Sequence, residues 1–341
     1  ALLIALCQCK GKPAMPAGDK DNGGLALPDG FEAVVVVDSI GPSRHLAIRD
    51  NGDVFVKLNI SKGDKGSVAL RDTDGDGKAD SVVRFGDYPN DGSLATDMRI
   101  HDGYLYFSSE KVVYRQKLKD GELVPTGTLE TVLTDDHPHG SHWHITKPVA
   151  FDDKGHMYVP FGAPSNACQD LIHTPGGVPG IKGLDPCPEL ELHGGIWKFD
   201  ANRTGLTQRD GVRIATGLRS IVGISWNEQD DKLYAVVHGR DDLHLLWPEM
   251  YSPLQSALLP AETLVQVTEG DNYGWPYAYF DELQGRYVLA PEYGGNGKLP
   301  ARDSNLAMPA MGFPGHWAPN DLLFYTGDQF PERYRHGAFI A

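Results

Sequence analysis

The chain has 341 residues, of which 40% are hydrophobic, and it carries a formal net charge of −15. This length fits one large all-β domain or two ordinary domains, each with a sizeable core. The acidic balance argues against nucleic acid as a partner, because a nucleic-acid interface needs a basic surface. The 40 glycines and 24 prolines indicate many turns and short strands in place of long helices.

The first residues, Ala1-Leu-Leu-Ile-Ala-Leu-Cys7-Gln-Cys9, resemble the end of a secretory leader of the bacterial lipoprotein type. Such leaders favour a small residue where Leu6 precedes Cys7, so ordinary N-terminal sequence is the alternative. Residues 10–24 are rich in Gly, Lys, Pro and Asp and are interpreted as a tether. We therefore predict a leader and tether over residues 1–24, a domain over residues 25–341, and a periplasmic or secreted protein, with a lipid anchor at its N-terminus as one option.

Two of the four cysteines bracket a loop that is rich in glycine and proline. These are Cys168 and Cys187. In an exported protein, a disulfide that closes this loop is the economical interpretation. Two free buried thiols are the alternative.

A turn followed by an apolar, aromatic strand recurs along the chain, with the period-two alternation of half-buried strands. The aromatic positions of the repeat are Phe55, Tyr106, Tyr158, Tyr234 and Phe324. The early repeats are about 50 residues apart, which is the length of a four-stranded blade, so the pattern predicts a β-propeller. The chain ends at Ala341 within a strand pattern, so we expect a propeller that is truncated in or before its last blade.

Proton-transfer groups are concentrated between Asp135 and Gly162, where four of the 13 histidines lie within eight residues. Strand patterns follow at residues 149–151 and 156–161, separated by a turn at residues 153–155, so a hairpin presents this histidine-rich loop. Histidine is the usual general base, because its pKa lies nearest neutral pH. A solvated loop or adventitious metal binding is the alternative interpretation.

Five short motifs, found in the same order, resemble the soluble quinoprotein glucose and sorbosone dehydrogenases, with the sorbosone-type branch the closer. They lie at residues 27–31, 144–159, 216–226, 270–276 and 318–331. Each motif is weak alone, but the ordered set is specific. The resemblance spans about residues 25–341 and implies an all-β, six-bladed β-propeller that uses pyrroloquinoline quinone (PQQ) and calcium (Ca2+).

The same resemblance assigns the site residues. His144 matches the general base, with His142 as the fallback one strand period away, and Arg219 matches the arginine that contacts the quinone. Ser220 stands where the family usually has Asn and is predicted to contact the cofactor, since its hydroxyl can still form a hydrogen bond although it reaches less far. The backbone carbonyls of Gly239 and Arg240 match those that bind the calcium beside the quinone.

One position departs from the family pattern. The acidic partner that the family places near the end of the base-bearing hairpin is Ala163 here. We expect Asn166 or Asp170 to orient His144 in its place. The resemblance implies that the basic residues that follow the last motif in the family would lie just beyond Ala341.

A second calcium motif lies early in the chain. Asp72, Asp74, Asp76 and Asp80 occupy positions 1, 3, 5 and 9 of a loop like that of an EF-hand, with Gly77 at position 6. The bidentate Glu of position 12 is missing, so we expect a structural calcium site away from the active site. A solvated acidic turn is the alternative.

The predicted function is the PQQ- and calcium-dependent oxidation of an aldose or sorbosone-like sugar. His144 would abstract the proton, and hydride transfer to the quinone would supply the electron sink that no side chain provides. An external acceptor, such as a cytochrome or a quinone, would remove the electrons. The alternatives are a metal-dependent propeller lactonase or hydrolase and a non-catalytic propeller that serves as a binding module.

Overall fold

The computed structural model describes residues 15–59, 65–86, 97–137, 143–169 and 176–341. Residues 15–42 contain one 3-10 turn, Asn22–Gly24, and no strand. The leader predicted at the extreme N-terminus falls outside the described residues. Within the described residues, no helix combines the length and the hydropathy needed to cross a membrane.

The described residues form sheets in a β-propeller arrangement, which confirms the predicted all-β class. Their strands pair antiparallel except for two short parallel extensions, at β12 (Leu206–Thr207) and β17 (Asp271–Asn272). The first blade contains β1 (Ser43–Ile48), β2 (Val54–Leu58), β3 (Ser67–Arg71) and β4 (Ser81–Phe85). The second contains β5 (Met98–His101), β6 (Tyr104–Ser108), β7 (Val112–Lys117) and β8 (Glu130–Thr134), extended by β12 (Leu206–Thr207). The third contains β9 (Ala150–Phe151), β10 (His156–Phe161), β11 (Gly195–Asp200) and β13 (Val212–Thr216), extended by β17 (Asp271–Asn272).

The fourth blade contains β14 (Ser220–Asn227), β15 (Lys232–His238), β16 (Glu262–Val267) and β20 (Met311–Phe313). Two short sheets pair β18 (Ala278–Asp281) with β19 (Arg286–Leu289), and β21 (Leu322–Phe324) with β22 (Ala338–Ile340). The helices are α1 (Leu243–Leu246) and α2 (Pro253–Leu258). Further 3-10 turns lie at Pro188–Glu191, Gln208–Asp210, Pro291–Tyr293 and Glu332–Tyr334.

The structure corrects the predicted number of six blades. Over the described ranges, the structure contains four blades of four or five strands and two sheets of two strands. The β18–β19 hairpin lies within the long insertion between β16 and β20, and residues 314–341 supply only two strands. The repeat position Phe324 accordingly lies in the first strand of its sheet, whereas Tyr158 and Tyr234 lie in the second strands of their blades.

Side chains between adjacent blades form the core. Val159 and Phe161 in β10 are fully buried, because the third blade packs against the second blade on one face and the fourth blade on the other. Tyr158 in the third blade stacks on Trp226 in the fourth, with ring centroids 5.8 Å apart. A buried strand of this kind reads as a continuous apolar run, which is why β10 was recognisable in the sequence.

A polar network connects the inner strands of several blades. Arg99 in β5 contacts Asp97 at 3.0 Å and Asp321, next to β21, at 2.8 Å. The second carboxylate oxygen of Asp97 accepts a hydrogen bond of 2.6 Å from the amide of Val149, next to β9. Since buried charges are stable only when paired, this network fixes the inner strands relative to one another.

Candidate active site

Four loops meet at one end of the third and fourth blades. The loop with His144 precedes β9, and Ala163 follows β10. Arg219 precedes β14, and residues 239–241 follow β15. Because β9 and β10, and β14 and β15, are antiparallel pairs, the start of one strand lies beside the end of the other. Sequence-distant residues are thereby brought to the same end of the two blades.

The imidazole of His144 is half-buried and is held by the backbone. Its Nδ1 lies 2.6 Å from the carbonyl oxygen of Ala163. A carbonyl oxygen can only accept a hydrogen bond, so Nδ1 carries the proton and Nε2 keeps its lone pair in the neutral ring. The geometry thus leaves Nε2 as the atom that can take a proton.

The carbonyl of Ala163 therefore orients His144 where the family pattern has an acidic side chain. The expectation that Asn166 takes this role is wrong, because the side chain of Asn166 bonds to Asp241 and Gly176 instead. The other candidates, Asp170 and the fallback base His142, lie outside the described residues.

Glycine at position 162 permits the close approach of His144. A Cβ atom added to Gly162 would lie 2.2 Å from the carbonyl oxygen of His144 and 2.7 Å from its Cβ. Contacts this short require a backbone shift. Gly162 therefore helps to set the position of the imidazole.

Arg219 is buried at the start of the fourth blade and forms a clamp with the loop after β15. Its Nη1 donates to the carbonyl of Gly239, and its Nη2 lies 2.5 Å from the carboxylate of Asp241. Its own carbonyl accepts a hydrogen bond of 2.7 Å from the amide of Ala163. A single residue, Ala163, thus links the base to the backbone of Arg219.

The buried side chain of Asn166 fixes the loop that faces Arg219. Its Oδ1 accepts from the amide of Asp241 at 2.8 Å, and its Nδ2 donates to the carbonyl of Asp241 at 3.0 Å. Its carbonyl accepts a hydrogen bond of 2.9 Å from the indole of Trp275. Trp275 packs against the disulfide between Cys168 and Cys187, which confirms the predicted pairing.

The other predicted site residues lie at the same end of the fourth blade. Ser220 begins β14, is buried, and pairs with His238 across the sheet. The side chain of Arg240 is buried and forms an ion pair with Glu292. Because that side chain is engaged, any role of Arg240 at the site falls to its backbone.

Two charged residues that the sequence reasoning missed belong to this region. Arg44 lies in β1, and its Nε is buried without a hydrogen-bond partner in the described part of the chain. Burial, and the positive charges of Arg219 and Arg44, lower the pKa of His238, against the opposing effect of its hydrogen bond to Pro319. Arg44 therefore adds positive charge near the clamp.

The second missed residue is Glu262, at the start of β16. It is 4% exposed, and its Oε1 accepts a hydrogen bond of 3.1 Å from the amide of His316. Burial raises the pKa of Glu262 to about 7, although the His316 amide and the charge of Arg219 oppose that shift. Its only sequence signal is a charged residue at the start of a strand that also contains Leu264, Val265 and Val267.

The acidic loop of the first blade lies between β3 and β4, away from these four loops. Carboxylate oxygens of Asp72, Asp74 and Asp80 lie within 4.8 Å of one another. Asp76 is not part of this group, and its carboxylate accepts a hydrogen bond of 2.8 Å from the amide of Lys78. Three of the four predicted carboxylates therefore converge.

A cavity adjoins the clamp on the side of the fourth blade. Its walls include Arg219, Gly239 and Trp275, together with a ring of tyrosines. His144 does not line this cavity. The reacting group of a substrate must lie near the imidazole, so this cavity alone does not define the site.

Fold and site together define a β-propeller with a histidine and an arginine joined at the junction of two blades. The family model described as TrAA12-like matches residues 25–341, and the chain belongs to this family. A comparison with curated proteins gave no match.

Solved structures share the fold at low identity. A calcium structure of a Trichoderma reesei protein of carbohydrate-active enzyme family AA12 is 18% identical, with a TM-score of 0.66, covering 88% of this chain and 75% of that one. The holo form of the pyranose dehydrogenase PQQ domain from Coprinopsis cinerea is 15% identical, with a TM-score of 0.67, covering 89% and 73%. The apo form of the soluble aldose sugar dehydrogenase from Escherichia coli is 16% identical, with a TM-score of 0.59, covering 90% and 81%.

Proposed function

We propose that this protein oxidises a sugar hydroxyl, with bound PQQ and calcium, at the junction of the third and fourth blades. The observation that carries the proposal is the imidazole of His144, whose Nδ1 donates to the carbonyl of Ala163, the residue whose amide bonds to the backbone carbonyl of Arg219. The family membership and the similarity to a PQQ domain and to an aldose sugar dehydrogenase support it. The closer likeness to sorbosone-type enzymes remains a prediction.

The cationic groups of the site fit an anionic tricarboxylate quinone. Nε of Arg219 and Nε of Arg44 are both buried and have no hydrogen-bond partner among the described residues. Guanidinium groups bind carboxylates strongly, so these two residues, with the hydroxyl of Ser220, are the proposed ligands. Bound PQQ supplies the electron sink that side chains lack.

Calcium is proposed to bind the carbonyls of Gly239 and Arg240. The carbonyl of Gly239 accepts one hydrogen bond from Arg219 and has a second lone pair available. Calcium prefers oxygen ligands, including backbone carbonyls. A second, structural calcium site is proposed at Asp72, Asp74 and Asp80.

The proposed role of His144 is that of general base. Nε2 takes the proton from the substrate hydroxyl as the carbon-bound hydrogen leaves with its electron pair. The hydrogen bond from Nδ1 to Ala163 keeps the ring in the required tautomer and orientation. An external electron acceptor, such as a cytochrome or a quinone, completes the proposal. The disulfide supports a periplasmic or secreted location.

A titration tests the proposal and separates it from the alternatives. PQQ and Ca²⁺ are added to the full chain, absorbance reports binding, and a panel of aldoses and lactones is then assayed with an electron-accepting dye. We expect saturable binding, weakened in Arg219→Ala and Arg44→Ala, and aldose oxidation only with the quinone present. Lactone hydrolysis without quinone would indicate the hydrolase, and neither binding nor turnover would indicate a binding module.

A further inference from the structure

Trp143 directly precedes the proposed base and exposes a large apolar surface. Its side chain is 41% exposed. Its indole lies edge-on to the imidazole of His144, with ring centroids 6.1 Å apart and an interplanar angle of 86°. The proposed oxidation gives no role to this exposed aromatic ring, although the ring lies next to the reactive imidazole.

Trp143 is held in place through its backbone and through the edge of its ring. The amide of Trp143 donates to the carbonyl of Pro164 at 3.1 Å. A Cβ atom added to Gly176 would lie 3.0 Å from Cη2 of the indole, so the ring edge packs against the backbone there. The carbonyl of Gly176 accepts from Asn166, the side chain that also holds Asp241 of the clamp.

Trp143 therefore lies between the base and the network that fixes the clamp. Two other tryptophans with exposed surface, Trp226 and Trp317, differ from it in one respect. Trp226 stacks on Tyr158 and Trp317 on Phe313, so an aromatic ring covers a face of each indole. For Trp143, the one aromatic ring in contact among the described residues is that of His144, and it lies edge-on.

We propose that Trp143 is the platform on which the ring of the sugar substrate stacks. This proposal rests on the proposed function and narrows its substrate class to pyranoses. A pyranose presents a face of C–H bonds, and a fixed indole binds such an apolar face at a low cost in conformational entropy. Stacking there holds a ring hydroxyl beside the imidazole of the next residue.

Kinetics on paired substrates test the platform. Trp143→Ala should raise KM for glucose about tenfold, because roughly 1.4 kcal/mol of binding free energy is lost. The kcat for glucose and the kcat/KM for an acyclic polyol such as glycerol should change less than about threefold. Trp143→Phe should recover part of the loss, and Trp226→Phe is the matched control with no expected effect.

A second readout avoids turnover and the quinone. Tryptophan fluorescence of the quinone-free protein is titrated with methyl glucopyranoside, which should give a saturable change that Trp143→Phe removes and Trp226→Phe keeps. No response in the unsubstituted protein, equal losses for glucose and glycerol, or weakened PQQ binding in Trp143→Ala would overturn the proposal. Failure of the proposed function itself is distinct, because it would show as no PQQ binding while the fluorescence response persists.

Discussion

The β9–β10 hairpin places a histidine at each end, in opposite settings. At the turn, Nδ1 of His156 lies 2.7 Å from the carboxylate of Asp152. At the site end, Nδ1 of His144 lies 2.6 Å from the neutral carbonyl of Ala163. The carbonyl of Ala163 fixes the tautomer of the neutral His144 ring, whereas the imidazole of His156 is paired with a carboxylate. The geometry at the site end thus determines which ring nitrogen can take a proton, and the imidazole at the turn end is engaged by a charged group.

The lysines at the two ends also differ, because one forms an exposed ion pair and the other a buried one. Lys154, in the turn, pairs with Asp231 at 2.6 Å, and both side chains are more than half exposed. Lys147, below the histidine-rich loop, pairs with Asp135 at 2.8 Å, with side-chain exposures of 1% and 0%. Lys147 also donates to the carbonyl of Ile145 at 3.0 Å, next to the base.

The two ends of the hairpin differ in whether their charged groups are buried or exposed. Buried charges cost free energy and depend on their partners, whereas exposed pairs contribute little. The site end combines the Lys147–Asp135 pair, buried Arg219 and the carboxyl group of Glu262, all of them costly to bury. Such departures from the usual burial rules are expected where a fold carries a reactive site.

The largest expected effect comes from replacing His144 with alanine, and the same replacement at His156 is the control. His144→Ala should lower dye reduction by a factor on the order of 10³ to 10⁴, the scale of a lost general base. His156→Ala should leave turnover within about twofold, since its imidazole is paired at the far end of the hairpin. Equal losses in the two variants, measured at saturating quinone, would remove the distinction between the ends.

Removing the buried lysine should destabilise the fold. Lys147→Met leaves Asp135 buried without its cation, so we expect a loss of about 3–5 kcal/mol in the free energy of unfolding. Lys154→Met, in the exposed pair, is the control and should give no measurable change. Urea denaturation followed by circular dichroism measures both, and the comparison fails if the two variants unfold at the same midpoint.

The pH dependence of stability should have opposite signs at the two ends. Burial raises the pKa of Glu262 from 4.5 to about 7, so the folded protein binds this proton more tightly and loses stability as pH rises through that range. Glu262→Gln should therefore gain roughly 3 kcal/mol relative to the unsubstituted protein at pH 8, and little at pH 4.

Asp152 provides the contrasting case at the turn. Burial opposes its ionisation, but the amide and imidazole of His156 and the hydroxyl of Tyr158 together lower its pKa below 3.8. The stability that it contributes is present above pH 3.8 and is lost as pH falls below that value. Thermal unfolding of Asp152→Asn and Glu262→Gln across pH checks both signs, and a shared sign would contradict the account.

Two glycines of the same hairpin provide the smallest effects. Gly162→Ala should lower kcat by about 10²-fold, because the new methyl group displaces the backbone of His144 and with it the imidazole. At Gly155, φ is +85° and the nearest atom to an added Cβ lies 3.6 Å away, so alanine there should cost about 1 kcal/mol of stability and leave kcat unchanged. Steady-state kinetics measure kcat, and thermal melts measure stability, for both variants.

Local patterns predicted most of the fold. The aromatic repeat identified the second strands of four blades. The turn at residues 153–155 identified the hairpin, and the predicted start of its first strand differs by one residue from the observed start of β9. The disulfide followed from two cysteines that flank one loop. The number of blades was wrong, because the late insertion forms its own hairpin and the last repeat lies in a first strand.

The site was less accessible to sequence reasoning. A backbone carbonyl orients His144. Every residue has such a group, so no residue type in the sequence identifies it. Arg44 and Glu262 reach the region of Arg219 only through the folding of the first and fourth blades, and neither lies in a recognisable motif. His144, Arg219 and Gly239 could be proposed because each lies in a short segment that resembles a family motif.

The central claim is that the imidazole of His144 accepts the substrate proton beside a quinone held by Arg219. Stopped-flow absorbance on quinone- and calcium-loaded protein mixed with an aldose tests it in one experiment, with His144→Ala beside the unsubstituted chain. We expect both proteins to bind the quinone equally and only the unsubstituted protein to reduce it within the time course. Equal rates of quinone reduction in the two proteins would contradict the account.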